Sequence, residues 1–425
     1  MKVLRKSEIS LTRLPEQTYT QVEHTMHERH LADRDTPLVL MVSGGSDSTG
    51  LTYIMADLQQ RDIVGPISVL HVNHHIRGEA SDTDARFVRD LCSDLHLSFA
   101  LCDVDIPALV AQRGSNMEAV ARQERYAAAR QALKDLCLDA DCPLSSGRIV
   151  TAHTQNDRVE NFYMRSIVGT GPGGFRSMLY QNGPVIRPLL DVSKDDVRLL
   201  IDDRVRRSQS DGHVVVRLDD QGNSWREDAT NAHTDHFRAY VRHKMVPLAV
   251  KRNPQVLDTL CRSMNLIADE DDMIDGHVSD LMDPMITWFA QSSSACDDTC
   301  SVVVEGDRPI PVEDDQDVSS ERSSNEVNAS GANIDYKQGC LIAPAFALQP
   351  VPIRRRIAHK ILQMMQGLDA RIETASIDSI VCACADERPI SGYVENIQGD
   401  LAISANKKGI RIEPMNAYRK RRKRV

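Results

Sequence analysis

The stretch Leu38-Val-Leu-Met-Val-Ser-Gly-Gly-Ser-Asp-Ser-Thr-Gly50 limits the folds open to this chain more than any other. Leu38 to Val42 is an unbroken apolar run, the pattern of a strand buried on both faces. Ser43-Gly44-Gly45-Ser46-Asp47-Ser48 follows at once, and then Leu51, Ile54, Met55 and Leu58 recur at helical spacing. Strand, glycine-rich turn and helix, in that order, make a phosphate site. Gly44 and Gly45 let the backbone approach a ligand with no Cβ in the way. The N–H groups of the helix start point at an anion with the helix dipole behind them, and Ser43, Ser46 and Ser48 add hydroxyl donors. The loop holds no lysine, so it does not fit the G-x-x-x-x-G-K-[ST] pattern of a Walker A loop. The blander reading of the same residues is a serine-rich cap on an ordinary helix.

Further strands are predicted over Pro66 to Val72, Leu97 to Val104 and Arg148 to Ala152. Helices are predicted over Val22 to Leu31, over Ser81 to Leu95 with Ser81 as cap, over Asn116 to Leu136, and over Ser193 to Ile201 with Ser193 as cap. This alternation argues for an α/β fold with a doubly wound parallel sheet. Ligands of such sheets sit at the carboxyl ends of the strands. Three marked segments fall there: the Ser43 loop, His71 to Arg77, and His153 to Glu160. A single histidine such as His71 or His153 is more often structural than functional, but three segments at one edge favour a site. Gly169-Thr-Gly-Pro-Gly-Gly174 has G-x-G-x-x-G spacing, yet it follows a helix and contains Pro172. It reads as a loop beside the site, not as a dinucleotide motif.

A chain of 425 residues holds more than one domain, and the composition shifts near residue 235. Residues 1–235 read as the sheet domain. Residues 236–415 read as a smaller, mostly helical α+β domain, with helices over His236 to Val250, Asn253 to Ile274 and Pro350 to Met365, and short strands over Ile390 to Ile412. Residues 291–336, rich in Ser, Asp, Glu and Asn, read as a disordered or surface insertion. Residues 416–425 form a basic tail whose run Arg419-Lys-Arg-Arg-Lys-Arg424 suits a solvated tail and a phosphate grip equally. The net charge of −10 gives no global attraction to nucleic acid, so any such contact is local. Ten scattered cysteines with no C-x-x-C pair, no apolar leader and no apolar run of about 18 residues point to a cytoplasmic protein that does not span a membrane.

The loop Ser43 to Ser48 resembles the PP-loop of the ATP pyrophosphatases. The wider series resembles the tRNA(Ile)-lysidine synthetase family: His71-Val-Asn-His74 with Arg77-Gly78 and Glu79; Glu118, Ala121-Arg122 and Arg125-Tyr126; Ala152-His153 with Asp157 and Glu160; Gly169-Thr-Gly171; Arg187-Pro-Leu-Leu190; Glu227-Asp228 with Asn231; Arg238; and Arg242-His243. The likeness covers about residues 36 to 250 and is thinner beyond. It implies an ATP-dependent ligase that uses ATP and Mg2+ to adenylate the C2 oxygen of the wobble cytidine of isoleucine tRNA with a CAU anticodon. Free L-lysine then displaces AMP. It also implies a nucleotide site at Ser43, Gly44, Gly45, Ser46, Asp47, Ser48 and His71, with catalytic candidates Arg122, Arg125, His153 and Asp157. Arg122 and Arg125 share a helical face and suit phosphate or base contact, or else ion pairing with Glu118 or Glu124. His153 and Asp157, at i and i+4 if helical, suit orienting the cytosine. Asp47 suits either a magnesium ligand or a helix cap.

Departures from the family pattern are His75 for glycine, Thr154 for histidine, Asn156 for an acid, Arg158 for glutamine, Asn161 for threonine, Val168 for arginine and Ala239 for asparagine. The competing readings are another PP-loop tRNA-modifying enzyme such as a 2-thiolation enzyme, and a non-catalytic protein that binds ATP or tRNA. Oligomeric state is left open, a homodimer among the options.

Overall fold

The computed structural model describes residues 13–75, 78–113, 116–211, 213–226, 237–289, 335–367 and 370–423. Arg77, Glu227, Asp228 and Asn231 lie outside the described residues, as does all but the last two residues of the expected insertion 291–336. The described chain forms two compact units that divide between Ile267 and Ala268. That division falls inside a helix and not at 235.

In the first unit, α1 (Pro15–Glu28) precedes β1 (Leu38–Met41). The chain then runs through α2 (Ser46–Gln60), β2 (Ile67–Asn73), α3 (Glu79–Asp94), β3 (Ser98–Asp103), α4 (Ile106–Arg113), α5 (Met117–Asp139) and β4 (Arg148–Val150). After α6 (Gln155–Val168) come the short strands β5 (Gln181–Asn182) and β6 (Val185–Ile186). Next are α7 (Lys194–Ser210), α8 (Phe237–Tyr240), a π-helical turn over Val241–Met245, α9 (Val246–Arg252) and α10 (Val256–Met285). The strand order is β3-β2-β1-β4-β6-β5, parallel throughout except that β5 runs antiparallel to β6.

The apolar run of β1 follows from its central place. Leu38 and Leu40 join one buried cluster with residues of α1, α2, α3 and α7, while Val39 joins another with Tyr126, Ala129 and Leu133 of α5. Both faces are covered, so neither alternates with polar residues. β1 is also where the strand order switches direction, with β2 on one side and β4 on the other, the place where open α/β sheets bind ligands.

Ser193 caps α7 as expected, its Oγ accepting from the Asp196 N–H at 3.1 Å. Ser81 does not cap α3, because that helix starts two residues earlier at Glu79, after Gly78 at φ +56. The first helix begins at Pro15, well before Val22.

The second unit contains β7 (Ile286–Trp288), β8 (Cys340–Ile342), α11 (Val351–Gln366), α12 (Thr374–Cys382), the paired β9 (Cys384–Ala385) and β10 (Arg388–Pro389), β11 (Val394–Ile397), β12 (Leu401–Asn406), β13 (Gly409–Pro414) and α13 (Met415–Arg422). Its antiparallel sheet runs β11-β12-β13-β8-β7, with Ile403, Ile410 and Ile412 packed on Ile357 and Ile361 of α11. The cationic run is helical through Arg422, and Arg421 donates to Glu413 at 2.6 and 2.9 Å. Arg355 and Arg356 are likewise held inside this unit, by Asp378 and by Asp271 with Asp275.

Candidate nucleotide site

The glycine loop leaves β1 and opens α2, with Gly45 as the helix cap. Gly44 sits at φ +90, a backbone that L side chains rarely adopt. The loop is braced from within. The Gly44 N–H donates to Ser48 Oγ at 3.1 Å, and that oxygen lies 3.1 Å from both Ser43 Oγ and the Gly45 carbonyl. Thr49 Oγ1 donates to the Gly44 carbonyl at 3.1 Å. Ser48 is buried in this bracing while Ser43 is exposed at the mouth of the loop. The Arg226 N–H donates to the Gly44 carbonyl at 2.8 Å, and its guanidinium clamps Asp84 at 2.8 Å and Asp219 at 2.6 Å. Arg226 therefore fixes the loop's outer side.

The neighbouring strand β4 delivers the second part of the edge. His153 lies after the strand and before α6, so it is not helical, and the i, i+4 reasoning for His153 and Asp157 fails. Thr154 is the cap, and Asp157 closes the capping box by accepting from the Thr154 N–H at 2.9 Å and its hydroxyl at 2.8 Å. His153 and Asp157 still interact electrostatically across that turn. Burial opposes charge on Asp157, but Lys194, His153 and Arg238 outweigh it and hold the carboxyl well below the usual carboxylate range. Lys194 Nζ lies 3.2 Å from Asp157 Oδ1 and 3.5 Å from Asp47 Oδ2. Asp47, Asp157 and Lys194 all belong to first turns, of α2, α6 and α7, so three helix starts converge here. Burial raises the Asp47 carboxyl, and Lys194 opposes that rise.

Glu160, one turn on, is buried and receives Arg242 Nε at 2.7 Å and Arg238 Nε at 3.1 Å. The Glu160 bond keeps the Arg242 guanidinium charged against its own burial. Both arginines also reach Asp157 Oδ1, at 3.4 Å from Arg238 and 3.5 Å from Arg242.

β2 supplies the third part. His71 Nδ1 meets the Val42 carbonyl at 2.8 Å, so that nitrogen carries a proton and donates. Burial lowers the pKa of His71. Burial, Arg125 and His71 push that of His74 down to about 4. Arg125 thus faces the end of β2, and burial lowers its pKa. Arg122 stacks over Tyr126 of the same helix, 5.1 Å from the ring centre. His75 adopts φ +52, which explains why a glycine suits that position, and its ring is held by Asp103 at 3.0 Å.

Other departures also have structural reasons. Asn156 Oδ1 accepts from the Lys194 N–H at 2.9 Å. The fully buried Arg158 donates to Asn265 at 2.6 Å and Tyr180 at 3.2 Å. Asn161 accepts from Arg165 at 2.8 Å. The positions of Val168 and Ala239 have no such account.

Sequence reading missed Lys194 and Arg226. The one local sign for Lys194 is a cation at the start of a helix, the end that disfavours it. Among the described residues no group of three or more His, Cys, Asp or Glu side chains could hold a metal. A divalent ion here would rest on Asp47 and on phosphate oxygens, the usual arrangement for magnesium.

A parallel sheet with a braced serine-glycine loop after its central strand, and a caged carboxylate at the next strand's end, defines an α/β domain built to hold phosphate. The chain belongs to the ATP_bind_3 family of PP-loop domains, whose profile matches residues 15–249. It is 31% identical over 245 residues to a tRNA(Ile)-lysidine synthase of Porphyromonas gingivalis, across 57% of this chain and 47% of that one. It is 28% identical over 259 residues to a tRNA(Ile)-lysidine synthase of Chlorobaculum tepidum, across 61% of this chain and 70% of that one. The chain spans about half the length of several curated relatives it matches. Among solved structures, the U34-tRNA thiolase NcsA of Methanococcus maripaludis is similar at a TM-score of 0.42 and 15% identity, over 60% of this chain and 79% of that one. No helix among the described residues is long and apolar enough to cross a membrane.

Proposed function

We propose that this protein is a cytoplasmic ligase that joins free L-lysine to C2 of the wobble cytidine of isoleucine tRNA with a CAU anticodon. In the first step the C2 oxygen of the base bonds to the α-phosphorus of ATP and pyrophosphate leaves. In the second, a lysine amine bonds to C2, the C2–O bond breaks, and AMP departs with the oxygen while the amine loses a proton. The reading is supported most by the meeting, through Lys194, of the phosphate loop and the α6 acid at one sheet edge. An adenylating site and an acceptor site must share an edge for such chemistry. The names of the curated relatives point the same way.

In this reading the backbone of Ser43 to Ser48 holds phosphate. Arg122 and Arg125 contact phosphate or base, and His153 and Asp157 orient the cytosine. His71 fixes the ends of β1 and β2 against each other. Asp47, together with phosphate oxygens, would hold a magnesium ion, which would supply charge neutralisation for the leaving pyrophosphate. A wobble base in a single-stranded loop can enter the pocket without melting a helix.

The test is labelled lysine incorporation into isoleucine tRNA bearing CAU, with ATP and Mg2+. Asp157→Asn keeps a capping oxygen for α6 and removes the charge. Lysine-dependent label that falls at least about a hundredfold in the variant supports the reading. Pyrophosphate release that depends on tRNA, with no lysine label, retains adenylation and rejects lysine as the nucleophile. Neither signal, with tRNA still bound, leaves only a binding protein.

A further inference from the structure

We propose that Lys194 is a placeholder cation that keeps the Asp47–Asp157 pair closed to free divalent metal until a nucleotide arrives. The inference rests on the nucleotide reading above and concerns how that site is loaded.

The ammonium sits between two carboxylates that come from different helices, 3.5 Å from Asp47 and 3.2 Å from Asp157. All three side chains are largely withdrawn from water, at 22%, 22% and 10% exposure for Lys194, Asp47 and Asp157. Local structure does not favour this placement. A lysine in the first turn of a helix meets the positive end of the dipole, and a flexible side chain loses rotamer freedom when held. What holds it is the anchored main chain, whose N–H donates to Asn156 at 2.9 Å, and the two carboxylates.

With Lys194 in place Asp47 is already neutralised, so a lone divalent ion gains little there and must displace a charge of the same sign. A triphosphate changes that balance. Its oxygens supply the remaining ligands and negative charge for a metal beside Asp47, and Lys194 can turn wholly onto Asp157, its nearer partner. Asp157 is in turn paired to Arg238 and Arg242. It is therefore Asp47 that is given up to the metal. Metal then enters only with nucleotide, and free metal does not occupy the loop.

The experiment is Mn2+ retained by the full chain in ultrafiltration, without nucleotide and with a non-hydrolysable ATP analogue, the analogue without protein serving as the blank because it chelates Mn2+ itself. The wild type is expected to bind Mn2+ only with the analogue. Lys194→Met is expected to bind Mn2+ without nucleotide at least about tenfold more tightly than the wild type, and Lys194→Arg to behave as the wild type. Lys194→Gln, which is polar but carries no charge, should show the same gain if the methionine variant does not fold. Mn2+ binding by the uncharged variants no tighter than the wild type overturns the placeholder role and leaves the nucleotide reading standing. Tight Mn2+ binding by the wild type without nucleotide also overturns it. Absence of analogue-dependent Mn2+ binding in the wild type overturns the nucleotide reading and this inference with it.

Discussion

Gly44 carries two demands at once. Its φ of +90 suits glycine alone, and a Cβ there would lie 3.4 Å from Val88 and 3.5 Å from the Arg226 stem. The contact distances are tolerable, so the backbone decides the outcome, at about 1–3 kcal/mol for a non-glycine residue in such a conformation. Gly44→Ala is expected to lower the melting temperature and weaken nucleotide binding together, read by thermal denaturation with and without an ATP analogue. A shift in neither would mean that the loop relaxes freely. At this scale the sequence was half informative. Ser43 to Ser48 announced themselves by local pattern, since strand, turn and helix start are contiguous. Lys194 and Arg226 did not, because their partners Asp47, Asp157, Asp84 and Asp219 are brought to them only by the fold, and a tertiary ion pair leaves no periodicity. The roles of Arg355, Arg356 and Arg421 were hidden for the same reason: a run of cations looks solvated until the acids that meet it are placed.

Helix α2 is held close to α7 by the absence of one side chain. A Cβ on Gly50 would stand 2.3 Å from Val197 Cγ1. Helix propensity alone would favour alanine over glycine by about 1 kcal/mol. Overpacking against a buried, β-branched valine costs about 1–3 kcal/mol, and χ1 of valine in a helix has little freedom to yield. The second effect wins, so Gly50→Ala is expected to destabilise the protein and Gly50→Ala/Val197→Ala to regain part of the loss in chemical denaturation. Equal stability of the single variant and the wild type would show that the two helices can part without cost. Strands β1, β2 and β4 were legible from short apolar runs and α7 from its Ser193 cap, although that helix runs on to Ser210, nine residues past the expected end. The π turn at Val241–Met245 was not, since 236 to 250 reads as one uninterrupted helix. Arg242 lies inside that turn and Arg238 in the short helix just before it, and both guanidinium groups meet Glu160. Such turns are frequent at functional sites.

For the whole molecule, the buried His71 and the half-buried His74 contribute to a loss of stability in acid. His74 falls from its ordinary 6.5 to about 4, chiefly through burial. Between those values the unfolded chain binds a proton that the native state refuses, so stability rises with pH across that window and is lost on acidification. Asp157 is shifted in the same direction but over a lower window: its stabilisation is present above the ordinary carboxylate value and disappears only as pH drops toward its much lower folded value. Melting temperature measured from pH 7 to pH 4 is expected to fall, and His74→Gln should flatten that decline. An unchanged slope in the variant would assign the proton uptake elsewhere.

The link from the Arg226 N–H to the Gly44 carbonyl also has a consequence in time. Chain emerges from the ribosome in order, so the loop after β1 is made long before the residues that brace and charge it. At about 5–20 residues per second, the interval between Asp47 and Arg242 is on the order of ten to forty seconds. For that interval the nascent chain has a glycine loop without its clamp and two acids without their cations. This edge of the sheet is therefore completed only once α7 and the segments after it have been made.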